Sequence, residues 1–163
     1  MSVRTVALGI WLCLLLGVAV YAAVAYLAPV ERAALPADVL SRVLYVVSGI
    51  AAVSALLIHR RLTAPHLVEK YGRAPALRLG VPLDSDAGRA LVRRHSDLYV
   101  FKVSLISWTL AESIALLGLL LALLSARPLA MAPFAIATVL VLAALKPEFS
   151  VVDRMIPGAR AHR

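Results

Sequence analysis

Glu112 is the residue of this sequence best placed to do chemistry. It is the only ionisable side chain among the 23 residues Val103–Ser125, a largely apolar stretch long enough to cross a bilayer as one helix. A carboxylate in the middle of such a helix costs roughly 2.5–3.5 kcal/mol to insert. Something must offset that cost. Glu112 either binds a proton or cation, or is a protonated acid that donates a hydrogen bond to a neighbouring helix.

Small side chains form a stripe along the same predicted helix. At about 100° per residue, several of them fall within a narrow arc of the helix, and such an arc lets another helix approach closely. We therefore predict a helix-packing face made of Ala111, Ala115, Gly118 and Ala122. Glu112 is about 100° around the helix from Ala111, so we expect it at the edge of a helix–helix contact rather than facing open lipid.

The stretch Ala111–Leu124, AESIALLGLLLALL, resembles the ion-carrying helix of the ring subunits of rotary ATPases, the proteolipid or c subunits. In that family an Ala-Glu or Ala-x-Glu precedes a Gly-Leu-x-x-Ala-Leu run, and the glutamate carries a proton or Na⁺. The resemblance implies that Glu112 is the ion carrier and that Ser113 is its neighbour in a sodium site. It covers 14 of the 163 residues and assigns no family to the whole chain.

Three other polar residues are predicted to lie at the depth of Glu112, namely Cys13, Ser48 and Thr138. Each lies about 8–11 residues from the basic flank of its segment, or roughly 12–17 Å along a helix axis. One interpretation is a polar layer in which Ser48, Ser113 and Thr138 join Glu112 in binding an ion or proton. The alternative, which we favour, is that each hydroxyl bonds to the carbonyl four residues earlier in its own helix.

Composition places the chain in a membrane. Apolar residues make up 62% of it, against roughly 45–50% in soluble domains. They lie in long blocks rather than in the short alternating segments of a β-barrel. We predict an all-α, polytopic integral membrane protein with a single membrane domain and two antiparallel hairpins. Its four transmembrane helices are expected at about residues 5–27, 39–58, 103–125 and 129–145. The first block has a second interpretation, as a signal peptide cleaved near Ala25.

Residues 59–102 are predicted to be a basic cytoplasmic linker with short amphipathic helices. Of the 17 Lys and Arg residues, fourteen lie in this linker, the N-terminus or the C-terminal tail, and three lie on the other side. This bias predicts a cell (inner or plasma) membrane protein with both termini cytoplasmic. Lipid headgroups or a protein partner are expected to contact the linker arginines Arg60, Arg61, Arg89, Arg93 and Arg94.

Local signals within these polar parts predict further structure. Thr63–Gly72 reads as one short helix with a terminal glycine. A helix that begins near Asp86 is expected to run unbroken into the third apolar block, since no proline or glycine lies between Arg89 and Glu112. The tail from Glu148 onward is expected to be mobile.

The sequence shows no catalytic pattern. It has no phosphate-binding loop, HExxH motif or dinucleotide fingerprint, its four histidines lie outside the apolar blocks, and its single cysteine excludes an intrachain disulfide. We therefore expect no catalytic residue, metal or cofactor. The net charge of +8 is explained by the membrane flanks, so no nucleic-acid partner is expected.

These observations favour a non-enzymatic accessory, assembly or structural subunit of a membrane complex. Its partners would be the lipid bilayer and either another membrane protein or further copies of the same chain. The alternative is a proton- or cation-translocating subunit that uses Glu112.

Overall fold

The computed structural model describes residues 2–27 and 37–155, and within these ranges every regular element is a helix. The all-helical class predicted from the sequence is thereby confirmed. In chain order the helices are α1 (Val3–Leu27), α2 (Ala37–Leu62), α3 (Pro65–Arg78), α4 (Asp86–Ser125), α5 (Ala132–Ala144) and α6 (Ser150–Met155), with a 3₁₀ turn at Pro128–Met131 before α5.

Three of the described helices are long and apolar enough to cross a membrane, namely α1, residues Val39–Leu62 of α2, and α4. The protein is therefore of the membrane-embedded type. The predicted fourth segment is shorter, because the 3₁₀ turn and α5 contribute only 4 and 13 residues. Together they span about 27 Å. Prolines bound this segment, since Pro128 begins the turn and Pro147 follows α5 closely.

The helices do not pair simply in chain order. Among the described residues, α1 and α2 each pack against α4 and α5, and α4 is the main neighbour of both. The first predicted hairpin is therefore not a closely packed pair of helices. Residues 28–36, which connect α1 to α2 and include Arg32, lie outside the described residues, as do residues 156–163 with Arg160 and Arg163.

The predicted linker is mostly helical and folded back on α4. Helix α3 runs through Gly72 and Pro75 to Arg78, so Gly72 does not end the helix as the sequence suggested. Its lack of a side chain is needed instead for packing, because a Cβ there would overlap Ser96 of α4. The expected continuity of α4 is confirmed: it is one helix of 40 residues, capped by Ser85, whose Oγ accepts from the Gly88 N–H at 3.0 Å.

Two tryptophan side chains from other helices donate hydrogen bonds to backbone carbonyls at the C-terminal end of α5. The last turn of a helix leaves carbonyls without backbone partners, and Pro147 has no N–H to offer. The Trp11 indole of α1 donates to the Leu142 carbonyl at 2.8 Å, and the Trp108 indole of α4 donates to the Leu145 carbonyl at 2.8 Å. A carbonyl left without a donor inside a protein is costly, so these bonds help to hold three helices together.

Four charged side chains form an ion-pair cluster that joins the start of α1 to α4 and α6. Arg4 Nη2 lies 2.9 Å from Oδ1 of Asp97 and 2.9 Å from Oδ1 of Asp153. Arg93 Nη2 lies 3.1 Å from Asp153 Oδ1. We call Arg4, Arg93, Asp97 and Asp153 the charge cluster.

The first part of the C-terminal tail is ordered, contrary to expectation. Phe149 and Val152 are buried, and the Arg4 guanidinium lies 5.1 Å from the centre of the Phe149 ring. The sequence shows these residues only as a short stretch after a proline. Their burial depends on contacts with distant parts of the chain, because Arg4 and Asp153 are 149 residues apart.

The contact between α4 and α5 predicts the effect of one substitution. A Cβ on Gly118 would overlap Phe134, so Gly118→Ala should lower the free energy of unfolding by about 1–3 kcal/mol through overpacking. The measurement is the thermal unfolding midpoint in detergent. Gly9→Ala is the control, because a Cβ there meets nothing within 4 Å. Equal midpoints for the two variants would contradict this packing.

Candidate functional site

The Glu112 carboxyl lies where α1 crosses α4. Its Oε1 atom would be 3.1 Å from a Cβ placed on Gly17, so the missing side chain at Gly17 makes room for the carboxyl. The Tyr21 side chain of α1 lies near the same carboxyl. The Oε2 atom is buried and has no hydrogen-bond partner among the described residues. One oxygen is thus free to accept a further donor.

Local sequence explains this arrangement. Ala111 is fully buried between helices, while Glu112, the next residue, is only partly buried at the edge of the contact. Gly17 and Tyr21 are four residues apart, so they lie on the same face of α1, one turn from each other. Sequence reasoning missed both residues. The available signal was the Gly-x-x-x-Tyr spacing in the first apolar block.

The predicted polar layer does not assemble around Glu112. The Ser113 hydroxyl donates to the Leu110 carbonyl at 2.7 Å, and the Thr138 hydroxyl donates to the Phe134 carbonyl at 2.8 Å. Both hydroxyls therefore bond within their own helices. Cys13 is exposed on the outer surface.

Ser48 behaves differently from the other hydroxyl residues. It lies in a cleft between α2, α4 and α5 that is lined on the α4 side by Ile114. Ile114 is two residues beyond Glu112, or about 200° around α4, so Ser48 and the Glu112 carboxyl occupy different faces of that helix. The Ser48 Oγ atom is buried and makes no hydrogen bond to the described residues.

The four predicted packing residues all lie inside the molecule. Ala111 and Ala115 are fully buried, Ala122 is almost so, and Gly118 contacts Phe134 of α5. The stripe of small residues thus lies where other helices approach α4.

The five linker arginines have different surroundings. Arg60, Arg61 and Arg94 are exposed, as contact with headgroups or a partner would require. Arg89 is also exposed and forms an ion pair of 2.7 Å with Asp86, one turn earlier. Arg93 points into the charge cluster, so its guanidinium serves the protein's own helix contacts.

The chemistry available at Glu112 suits a proton better than a metal ion. Within residues 2–27 and 37–155, no group of three or more His, Cys, Asp or Glu side chains is placed to hold a metal ion.

Comparison of this chain with protein-family models, with curated proteins and with solved structures finds no match in any of the three.

Proposed function

We propose that the protein is a non-enzymatic membrane subunit that takes part in the assembly or architecture of a larger membrane complex. Such a subunit needs a stable helical body and outer surfaces on which another protein can pack. The proposal is supported by how the described polar side chains are used and by how little of α1 and α2 is buried.

The observation that carries the proposal is that hydrogen bonds and ion pairs of polar side chains join several of the protein's own helices. The two tryptophans bond to the end of α5, and the charge cluster joins α1, α4 and α6. The hydroxyls of Ser107 and Ser125 bond back to their own helix. These groups support architecture rather than reaction chemistry.

The outer surfaces of α1 and α2 are broad and apolar. In their most apolar windows only 11% of α1 and 17% of α2 is buried, against 44% of α4. Leu8, Leu12, Leu16 and Val20 form an exposed ridge along α1 with a spacing of four residues. Ridges of this spacing pack into the grooves of other helices, so α1 offers a surface for a partner.

Photo-crosslinking in the native membrane tests the proposed partner surface. With a photoreactive residue at Leu16 on the α1 ridge, we expect a crosslink to one membrane protein or to a second copy. The same complex should appear by mass spectrometry after gentle detergent extraction. A photoreactive residue at Leu142, which is fully buried and already has a large side chain, is the control and should give no such product. Crosslinks from Leu16 to lipid alone, with a monomer in detergent, would contradict the proposal.

We further propose four membrane crossings, with the linker and both termini on the cytoplasmic side of the cell membrane. Pro128–Ala144 is apolar and short, and its estimated length of about 27 Å is close to the roughly 30 Å of bilayer hydrocarbon. Local thinning of the bilayer accommodates a difference of this size. The distribution of Lys and Arg supports this orientation.

Reporter fusions test this topology. Fusions after Arg61 and at Arg163 should both report a cytoplasmic location, and a fusion after Ala34 should report an external one, because the basic segments resist translocation. The fusion at Arg61 serves as the internal reference for the one at Arg163. An external reading at Arg163 alone would mean that the fourth segment does not cross.

A second candidate function is proton transfer through Glu112. The specific observation in its favour is the buried Oε2 atom without a partner, with the Tyr21 hydroxyl beside the carboxyl. The resemblance of this helix to the ion-carrying helix of rotary ATPase ring subunits points in the same direction.

Substitution of Glu112 separates the two candidate functions. If Glu112 carries protons, proteoliposomes should show proton uptake that Glu112→Gln abolishes, because the amide keeps the shape but cannot release a proton. Dicyclohexylcarbodiimide should then modify Glu112. Tyr21→Phe is the matched control that removes the neighbouring hydroxyl and keeps the carboxyl.

If Glu112 is structural, Glu112→Gln should preserve the fold and the oligomeric state, and proton permeability should equal that of empty liposomes. Glu112→Leu should then cost about 1 kcal/mol of stability, the usual size of a hydrogen bond between membrane helices. Identical proton uptake by wild type and Glu112→Gln would exclude Glu112 as the carrier.

A further inference from the structure

The apolar part of α4 has one strip that the other helices leave uncovered. Between positions 102 and 120, every exposed residue falls within an arc of roughly 80° around the helix, at about 100° per residue. These residues are Lys102, Ile106, Thr109, Leu116 and Leu120. The strip is apolar along most of its length and begins with a cation.

Helices α1 and α2 lie on either side of this strip. Glu112, about 80° around α4 from Lys102 in one direction, meets α1 at Gly17. Ile114, about 120° from Lys102 in the other direction, meets α2 in the cleft that contains Ser48. Because α1 and α2 do not pack closely against each other, the strip is the floor of a groove between them. We call it the α4 groove.

Arg61 of α2 lies at nearly the same height as Lys102. Ser48 and Ile114 line one cleft and therefore mark a common level on the two helices. Arg61 is 13 residues after Ser48, and Lys102 is 12 residues before Ile114, or about 20 Å and 18 Å along the helix axes. Both distances run toward the same end of the molecule, because α3, which follows α2, packs on the N-terminal part of α4.

Arg61 also lies on the groove side of α2. It is about 160° around that helix from Tyr45, which lines the cleft with α5. Arg60, the preceding residue, is only about 60° from Tyr45 and so belongs to the cleft side. Two neighbouring arginines of equal height thus point to different surfaces of the protein.

The charges of Arg61 and Lys102 are not neutralised within the described part of the chain. Both residues are exposed, and neither forms an ion pair with the described residues. Arg73 and Arg89, in contrast, each pair with an acidic side chain one turn away. An anion from outside the protein would therefore meet two available cations at one end of the α4 groove.

These two cations lie at the boundary of the hydrocarbon. Lys102 directly precedes the apolar stretch of α4, and Arg61 is the penultimate residue of the apolar span Val39–Leu62. Phospholipid phosphates lie at such a boundary, and one leaflet contributes about 15 Å of hydrocarbon, half of the bilayer's roughly 30 Å. Over that distance the floor of the groove passes Ile106 and Thr109, where an acyl chain can lie.

We infer that the α4 groove binds an anionic phospholipid. The phosphate contacts the Arg61 guanidinium and the Lys102 ammonium group, and an acyl chain lies along the strip from Ile106 onward. Such a lipid supplies a negative charge at the boundary and a chain attached to it. A zwitterionic lipid has the same phosphate, but its own ammonium group offsets the charge, so it binds more weakly. The inference concerns lipid binding alone and does not depend on the proposed function.

Titration of the full-length protein with phosphatidylglycerol in detergent, followed by native mass spectrometry, tests this inference. The affinity for the first bound lipid is compared with that for phosphatidylcholine of the same acyl chains. The proteins are the wild type, Arg61→Ala, Lys102→Ala and the double variant. Arg60→Ala is the matched control, because Arg60 is an exposed arginine of the same height on the cleft side of α2.

We expect the wild type and Arg60→Ala to bind phosphatidylglycerol more tightly than phosphatidylcholine. Arg61→Ala and Lys102→Ala should each weaken phosphatidylglycerol binding roughly fivefold, and the double variant roughly thirtyfold, the usual effect of one and two basic residues beside anionic lipid. Equal thermal midpoints without added lipid show that the variants are folded. Where an alanine variant unfolds, glutamine takes its place, since it removes the charge and keeps a longer side chain.

Four results would overturn the inference. Equal affinity of the wild type for the two lipids would mean that apolar contact alone holds them. Equal losses in Arg60→Ala and Arg61→Ala would mean a general attraction to the basic surface. Displacement of phosphatidylglycerol by an excess of inorganic phosphate would identify a site for a free anion. A membrane protein that blocks phosphatidylglycerol binding and is lost in the double variant would identify the occupant as a partner helix.

Discussion

The packing of the other helices on α4 is the constraint on which the rest of the structure depends. With 40 residues, α4 is about 60 Å long, roughly twice the thickness of bilayer hydrocarbon. Its N-terminal half is basic and its C-terminal half is apolar, and α1, α2, α3, α5 and α6 all contact it. Small residues occur at the closest contacts in both halves, with Gly118 against Phe134 and Gly72 of α3 against Ser96. The membrane part and the polar part therefore share one rigid helix.

The sequence predicts best those features that depend on neighbouring residues. The apolar blocks indicate the long helices, the lack of proline and glycine between Arg89 and Glu112 indicates that α4 is continuous, and the stripe beginning at Ala111 indicates which face of α4 other helices approach. It predicts poorly where a residue's role depends on a distant partner. Gly72 looks like a helix end and is instead a close contact, because only the fold places Ser96 against it. Phe149 and Asp153 look like part of a mobile tail, because their partner Arg4 lies at the other end of the chain.

In the candidate site, too, some features follow from neighbouring residues and others depend on distant parts of the chain. That Glu112 would lie at the edge of a helix contact follows from its angle to Ala111, but Gly17 and Tyr21 could not be chosen as its neighbours without the packing of α1 on α4. The three hydroxyl residues predicted to join Glu112 in a polar layer, Ser48, Ser113 and Thr138, are indistinguishable in sequence. Ser113 and Thr138 bond within their own helices, whereas Ser48 lies in a cleft formed by three helices. Residue type gives the hydrogen-bonding capacity, and tertiary packing decides whether it is used.

The pairing of Arg4 with Asp153 has a consequence for how the protein folds while it is being synthesised. Arg4 and Asp153 are 149 residues apart in the sequence. Trp11 is likewise 131 residues before Leu142, whose carbonyl accepts its hydrogen bond. At about 5–20 residues per second, translation leaves roughly 7–30 s between the emergence of Arg4 and that of Asp153. Throughout that interval α1 remains in the bilayer by its own hydrophobicity, without the bonds that later anchor its N-terminal half. A segment that is synthesised much later therefore completes the attachment of α1.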